Sequence, residues 1–322
     1  MKKDAAFHNK HSLGQNFLTD EGLLARLVEL SGVGAGDCVL EIGPGAGGMT
    51  KELAKRVRSV LALEIDEDLF PILRVALLPY ENVVLVKGDV MKVSLTELTQ
   101  PLGPFHIVAN LPYYLTTPLI EKLVKSDLPI LSMSFMVQKE AAVRLLAEPK
   151  SKEYGPLSIK IRQGYEAENV LAVPARMFSP PPKVDSAFIV MKRRQAPLAP
   201  AQNERTFSAV VDAAFVLRRK TLANNLTNTF HISRVEALAW IARCGFKDTA
   251  RGEELSLEDF ARLADKAPEG VAVKQYRGLN PGFSRKNEKK YFFRQEKRKL
   301  CGIMRNRARM WLVYSSGVPV PD

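Results

Sequence analysis

The chain has 322 residues, of which 46% are hydrophobic and 25% charged, an ordinary globular composition with room for about two domains, each burying its own core. Three widely spaced cysteines, Cys38, Cys244 and Cys301, form no CxxC pair, so neither a disulfide framework nor a metal site of the zinc type is indicated, and a reducing interior suits them. The net charge of +12 is uneven: residues 268–322 hold 13 Lys/Arg and 4 Asp/Glu, leaving 34 and 31 for the mildly basic residues 1–267, and such a balance suits a polyanionic partner.

The N-terminal MKKDAAFHNKHSLGQ is basic but leads into no apolar core, which argues against a secretory signal. The greasiest run, Pro129–Val137, is far below the roughly 18 residues of a membrane span. A soluble, cytoplasmic chain with no membrane partner is expected. From residue 37 to about 147, short Val/Ile/Leu runs alternate with helical patterns. Strands are predicted at 38–42, 60–64, 83–86, 106–109 and 131–136, and helices at 47–58, 67–77, 115–126 and 138–148. Such alternation implies an α/β fold with a parallel, doubly wound sheet whose ligands sit at the carboxyl ends of the strands. A further strand pattern covers 180–193, and Gln195–Gln202, with two prolines, reads as a linker. Residues 204–266 show helical periodicity alone, so a small all-helical second domain is predicted.

The first strand leads into Glu41-Ile-Gly-Pro-Gly-Ala-Gly-Gly48, where Gly43 and Gly45 let the backbone approach a ligand at the start of the next helix. A tight turn alone accounts for this GxGxG spacing, so its context decides. Glu64 ends the second strand, 21 positions beyond Gly43, where a carboxylate accepts from both hydroxyls of a ribose. Asp89 follows the third strand, placed to accept from an adenine amino group. Each acid alone reads equally well as a loop carboxylate or a helix cap. Three polar features at successive strand ends suit a nucleoside, and the glycine spacing favours S-adenosylmethionine over NAD.

Asn110 ends the fourth strand and opens Asn110-Leu-Pro-Tyr-Tyr-Leu115. An exocyclic adenine N6 is a poor nucleophile, because its lone pair is delocalised into the ring. The Asn110 side-chain oxygen and the Leu111 carbonyl are candidates to accept its two N–H bonds and direct that lone pair. Pro112 removes a donor and stiffens the loop, and Tyr113 offers a ring face to a flipped-out base. No strong general base is required, since the methylated amine is acidic enough to lose its proton to water.

The segments HSLGQNFLTD, LEIGPGAGGMTKEL, ALEID, KGDVMKV, NLPYYLTTPLI, FSPPPKVDSAFI and RRKTLANNL occur in the order that the chain shares with one family. Over residues 8–266 the sequence resembles the small-subunit (16S) ribosomal RNA adenine N6,N6-dimethyltransferases. The resemblance implies a Rossmann-like class I S-adenosylmethionine-dependent methyltransferase domain over 1–194 and a helical rRNA-binding domain over 204–267. The implied reaction is dimethylation of two adjacent adenosines near the 3′ end of small-subunit rRNA, with a role in subunit biogenesis and a monomeric enzyme. Asn16, Leu18, Gly43, Glu64, Asp89 and Asn110 would form the cofactor site, with Gly45 in the same loop. Phe178 would sandwich the target base with Tyr113. Arg218-Arg219-Lys220, opening a helix, and Asn224-Asn225 one turn on, would meet rRNA phosphates.

Two local departures are Leu217, where the family more often has glutamine, and Gly252, which replaces a frequent proline and is expected to loosen its turn. Residues 268–322 have no counterpart in the family. They read as unselected appended sequence rather than as an RNA-binding arm, and poor order is expected. Three alternative functions stay open: a large-subunit rRNA adenine methyltransferase, a non-catalytic assembly or transcription factor, and an N6-adenine DNA methyltransferase.

Overall fold

The computed structural model describes residues 16–269 and 271, so the expectation for the basic tail lies outside the described residues. The described chain forms two compact units, the first from residues 16–142 and 168–192, the second from 143–167 and 193–271.

The first unit is built on a seven-stranded sheet. Its strands are β2 (Cys38–Ile42), β3 (Ser59–Glu64), β4 (Val83–Lys87), β5 (Phe105–Asn110), β6 (Ile130–Gln138), β7 (Tyr165–Val173) and β9 (Ser186–Arg193). They lie in the order β4-β3-β2-β5-β6-β9-β7. Pairings among β2 to β6 are parallel, whereas β9 runs antiparallel to β6, so the sheet is mixed at one end. All five residues of β2 are buried, as a central strand covered on both faces must be. The helices α2 (Gly48–Ala54), α3 (Phe70–Leu77), α5 (Thr116–Val124) and α6 (Lys139–Leu145) fall where the sequence pattern predicts helices, and α1 (Glu21–Leu30) and α4 (Leu95–Thr99) add to them. Asp20 starts α1 by accepting from Leu23 N at 2.8 Å. A two-residue ribbon pairs β1 (Phe17–Leu18) with β8 (Phe178–Ser179), setting Leu18 opposite Phe178.

The second unit contains α7 (Pro156–Gly164), α8 (Glu204–Ala214), α9 (Leu222–Phe230), α10 (Arg234–Arg243) and α11 (Leu257–Asp265). Ser233 with Glu236, and Ser256 with Asp259, form reciprocal capping boxes that start α10 and α11. Trp240 is fully buried and donates to Leu263 O at 2.8 Å, which satisfies the one polar atom of the largest core side chain.

Several features differ from the sequence expectation; the strand pattern over 180–193, for one, begins only at Ser186. Residues 143–167 cluster with the helical unit rather than with the first domain, because Ala147, Tyr154 and Ile159 complete its core. The 195–202 segment is no free linker: Leu198 N donates to Gln163 O, Ala199 exchanges two bonds with the Gln163 side chain, and Gln202 N donates to Asp265. At Gly252 a built Cβ would lie 2.7 Å from Ala214 O, so the 252–254 turn packs closely on the end of α8.

Candidate active site

The strand order carries the chain outward from β2 through β3 to β4, then returns it to the opposite side of β2 as β5. Such a reversal leaves a crevice at the carboxyl ends of the strands. There a cavity of about 220 Å³ is lined by Gly43 and Gly45 after β2, Glu64 at the end of β3, Asp89 after β4 and Asn110 at the end of β5. Asn16 and Leu18 from the β1 segment line it as well, as do Leu111, Pro112, Tyr113 and Phe178. Every cofactor and target-base candidate read from the sequence thus borders one cavity of the first unit.

The loop after β2 is held by Gly43 N donating to Leu63 O at 2.9 Å. Gly45 has φ +59°, and a Cβ on it would come within 2.9 Å of Phe17 Cε1, so the Phe17 ring packs directly against the loop. Glu64 is 3% exposed, and its Oε1 accepts from Ile65 N and Asp66 N at 2.8 Å each. Oε2 receives only a 3.3 Å approach from Gly45 N and keeps acceptor capacity. Burial pushes this carboxyl up, and the three amides partly offset the shift. Asp89 Oδ1 accepts from Met91 N at 2.9 Å, while Oδ2 lies 3.5 Å from the exposed Lys92 Nζ.

Asn110 is oriented from one end. Its Nδ2 donates to Asn16 O at 3.0 Å, so Oδ1 is left as an acceptor beside the cavity. Leu111 N is taken by Met136 O at 3.3 Å, and Leu115 N closes the turn on Pro112 O at 2.9 Å. No donor among the described residues reaches the Leu111 carbonyl. Tyr113 is half-buried; its hydroxyl is enclosed and makes no hydrogen bond of regular geometry, and burial pushes the phenol up, offset only in part by the Ser186 hydroxyl. Phe178 is buried, and β1–β8 pairing brings it to the cavity from far along the chain.

Two residues escaped the sequence reading. Glu41 lines the cavity beneath the glycine loop at 2% exposure. Its Oε2 has no partner, and burial pushes its carboxyl up to about 8. Thr50 lowers that value only in part, and its hydroxyl makes no hydrogen bond of regular geometry; nearby Glu64 raises it further. The available signal was an acid inside an otherwise apolar strand, Cys-Val-Leu-Glu-Ile. Lys122, on α5, donates to Val90 O at 2.8 Å and Met91 O at 3.0 Å, tying the Asp89 loop to the helix that follows the Asn110 loop. Nothing in the sequence marks that link.

Among the described residues no group of three or more His, Cys, Asp or Glu is placed to hold a metal ion. No helix among them is long and apolar enough to cross a membrane. In the second unit, Arg218, Arg219 and Lys220 do not open a helix but occupy the turn before α9, whose cap is Thr221. Arg218 Nε lies 3.4 Å from Glu253 Oε2 and the guanidinium also donates to Lys152 O; all three residues of the run are exposed. Asn225 is fully buried and cannot reach a phosphate. It accepts from Leu217 N at 3.1 Å and donates to Ala214 O at 2.8 Å and Leu217 O at 3.3 Å, so its role is to shape that turn.

The family model for ribosomal RNA adenine dimethylase matches residues 6–268. Among curated proteins, the ribosomal RNA small subunit methyltransferase A of Enterococcus faecalis is 43% identical over 271 residues, covering 82% of this chain and 92% of that one. The protein of the same name from Lactococcus lactis subsp. lactis is 43% identical over 264 residues, covering 80% and 90%. Among solved structures, a dimethyladenosine transferase from Plasmodium falciparum aligns with TM-score 0.66 at 24% identity, over 76% of this chain and 95% of that one. The 23S rRNA methyltransferase ErmE aligns with TM-score 0.60 at 28% identity, over 78% and 99%.

Proposed function

The chain belongs to the ribosomal RNA adenine dimethylase family, and we propose that it dimethylates N6 of two adjacent adenosines near the 3′ end of small-subunit rRNA. It is an S-adenosylmethionine-dependent enzyme acting on adenine of small-subunit rRNA. The large-subunit alternative is disfavoured by the names of these relatives. A cytoplasmic monomer that acts during small-subunit biogenesis completes the reading.

The observation that carries it is the pair of acceptors at Asn110 and Leu111. The amide of Asn110 gives its N–H to Asn16 O, and the cavity therefore meets an oxygen. That oxygen and the Leu111 carbonyl would take the two N–H bonds of an adenine amino group. Pulled from both sides, N6 becomes pyramidal and its lone pair is freed from the ring. Tyr113 and Phe178 would hold the base between two rings. After one methylation a single N–H is left, so the second cycle needs one acceptor and space for a methyl group at the other. The proton leaves to water, and the residues contribute orientation and electrostatics rather than a strong base.

The polar lining fits S-adenosylmethionine. Glu64 Oε2 would accept from the ribose and Asp89 from the adenine amino group, and the Glu41 carboxyl, with Oε2 unpartnered, adds a further polar group to the lining. When bound, that cofactor supplies a methyl group activated on a sulfonium sulfur. Arg219 and Lys220 would meet rRNA phosphates.

The test is transfer of tritiated methyl from S-adenosylmethionine to small subunits lacking adenine dimethylation, with large subunits in parallel. Incorporation of about four methyls per small subunit, recovered as N6,N6-dimethyladenosine, is the expected result. Incorporation into large subunits alone would transfer the substrate to the other subunit, and tight binding without incorporation would favour a non-catalytic assembly role.

A further inference from the structure

We propose that the dipeptide Asp185-Ser186, at the start of β9, sets the spacing of the target-base slot: Ser186 holds the Tyr113 ring through its hydroxyl, and Asp185 holds the turn that carries Phe178. The proposal rests on the reading of Tyr113 and Phe178 as the two rings about the base. It makes the dipeptide a pair of positioning residues that act through those rings.

Topology brings the dipeptide to the site. Asn110 at the end of β5 pairs with Met136 of β6, and Leu111 N donates to Met136 O at 3.3 Å, so the Asn110 loop leaves the sheet beside the end of β6. Two residues further along β6, Gln138 pairs with Ser186, and Lys139 N donates to Asp185 O at 3.1 Å. β9 therefore enters the sheet on the far side of the same strand end, anchored by its own pairing before it meets Tyr113.

Ser186 is 1% exposed, and its Oγ and the Tyr113 hydroxyl are both enclosed without a hydrogen bond of regular geometry. The Ser186 hydroxyl counters part of the upward push that burial exerts on the phenol, so the two groups interact. An enclosed hydroxyl with no partner is costly, and native structures tolerate few of them. Each hydroxyl can donate or accept, so these two relieve that cost mutually. The Tyr113 ring is thereby held at its far end by a paired strand, while the residue lines the cavity.

Asp185 reaches the second ring through the backbone. Its Oδ1 accepts from Ala175 N at 2.9 Å, and Phe178 N donates to Ala175 O to close the 175–177 turn. The carboxylate thus fixes the start of a single turn whose end presents Phe178 to the cavity. Two rings that lie far apart in the sequence are referred to one fixed point. A base between them is held only while their gap is held, and small misplacements of a reacting group are expensive in rate. The second methylation depends on this most, because one N–H bond to the acceptors at Asn110 and Leu111 has then been lost.

The experiment follows tritiated methyl transfer by the full chain to small subunits lacking adenine dimethylation, together with the ratio of monomethyl to dimethyl adenosine, S-adenosylmethionine affinity and melting temperature. Ser186→Ala is expected to lower kcat roughly three- to tenfold and to raise the monomethyl share, with cofactor affinity unchanged. In a Tyr113→Phe background the same substitution is expected to cost nothing further, because the hydroxyl it served is gone. A merely structural serine would give equal losses in both backgrounds and leave the product ratio alone; that result, or no loss in either, would overturn its role. Asp185→Ala is expected to act in the same direction, and Asp185→Asn, which keeps an acceptor oxygen, to recover most of the loss. Equal losses in those two variants would overturn the Asp185 contact. Normal turnover in both Tyr113→Ala and Phe178→Ala would overturn the base-slot reading itself, and the positioning role with it.

Discussion

Asn110 in the first unit and Asn225 in the second are the same residue beside a sharp turn, yet their amides are used differently. Asn110 donates once, to Asn16 O at 3.0 Å, and its oxygen is left toward a cavity. Asn225 is fully buried and engages both ends of its amide with backbone groups of residues 214 and 217. An amide with one end satisfied is oriented and still able to act on something else. An amide with both ends satisfied is scaffold. The difference teaches that residue type and turn context do not separate chemistry from support; the hydrogen-bond partners do.

Substitution at the two sites gives the sharpest contrast. Asn110→Ala is expected to lower kcat by about 10²–10³-fold or more, with a melting temperature near that of wild type, because it deletes an oriented electrostatic contact. A loss of stability as large as that of the Asn225 variant, with normal turnover of the folded fraction, would break the comparison. Asn225→Ala is expected to cost roughly 2–4 kcal/mol in denaturant unfolding, since it strands buried backbone groups, and to leave kcat of the folded enzyme close to wild type. Two glycines extend the pair. Gly252→Ala should cost about 1–3 kcal/mol, because its Cβ meets Ala214 O at 2.7 Å. Gly45→Ala, whose Cβ meets the Phe17 ring at 2.9 Å, should instead act on cofactor affinity, measured by equilibrium dialysis.

Glu41 gives the most specific effect, confined to one pH window. Its carboxyl is pushed from 4.5 up to about 8, so the native state holds a proton that the unfolded chain releases between those values. This contribution to stability is complete below about pH 4.5 and fades as pH rises toward 8, by up to about 1.4 kcal/mol per pH unit. Glu41→Gln, neutral throughout, should flatten the pH dependence of unfolding in that window. An unaltered profile in the variant would show that Glu41 is ionised in the folded protein.

The predicted strands at 38–42, 60–64, 83–86, 106–109 and 131–136 all lie within observed strands, because a buried parallel strand reads as a continuous apolar run whatever surrounds it. β7 lacked that signal: Tyr-Glu-Ala-Glu-Asn-Val-Leu-Ala-Val is a partly exposed strand at the sheet's edge and carries charge. Candidate site residues at strand ends were legible for a related reason. The turn that ends a buried strand must present polar groups, so Gly43, Glu64, Asp89 and Asn110 stand out against their neighbours. Glu41 stood inside a strand and was passed over.

What the sequence determined by itself, then, is the order of elements, the polar residues at the strand ends and, by resemblance, the family. Tertiary structure alone decided the rest. Strand pairing brought Phe178 to Leu18, a helical core drew residues 143–167 out of the first unit, and Gln163 tied down the segment that read as a linker. It also gave Arg218 an internal carboxylate, Glu253. The physical reason is range. Periodicity and turn chemistry arise from neighbours a few positions away, whereas the partner of a buried amide or guanidinium is chosen by whatever the fold brings within about 3 Å of it.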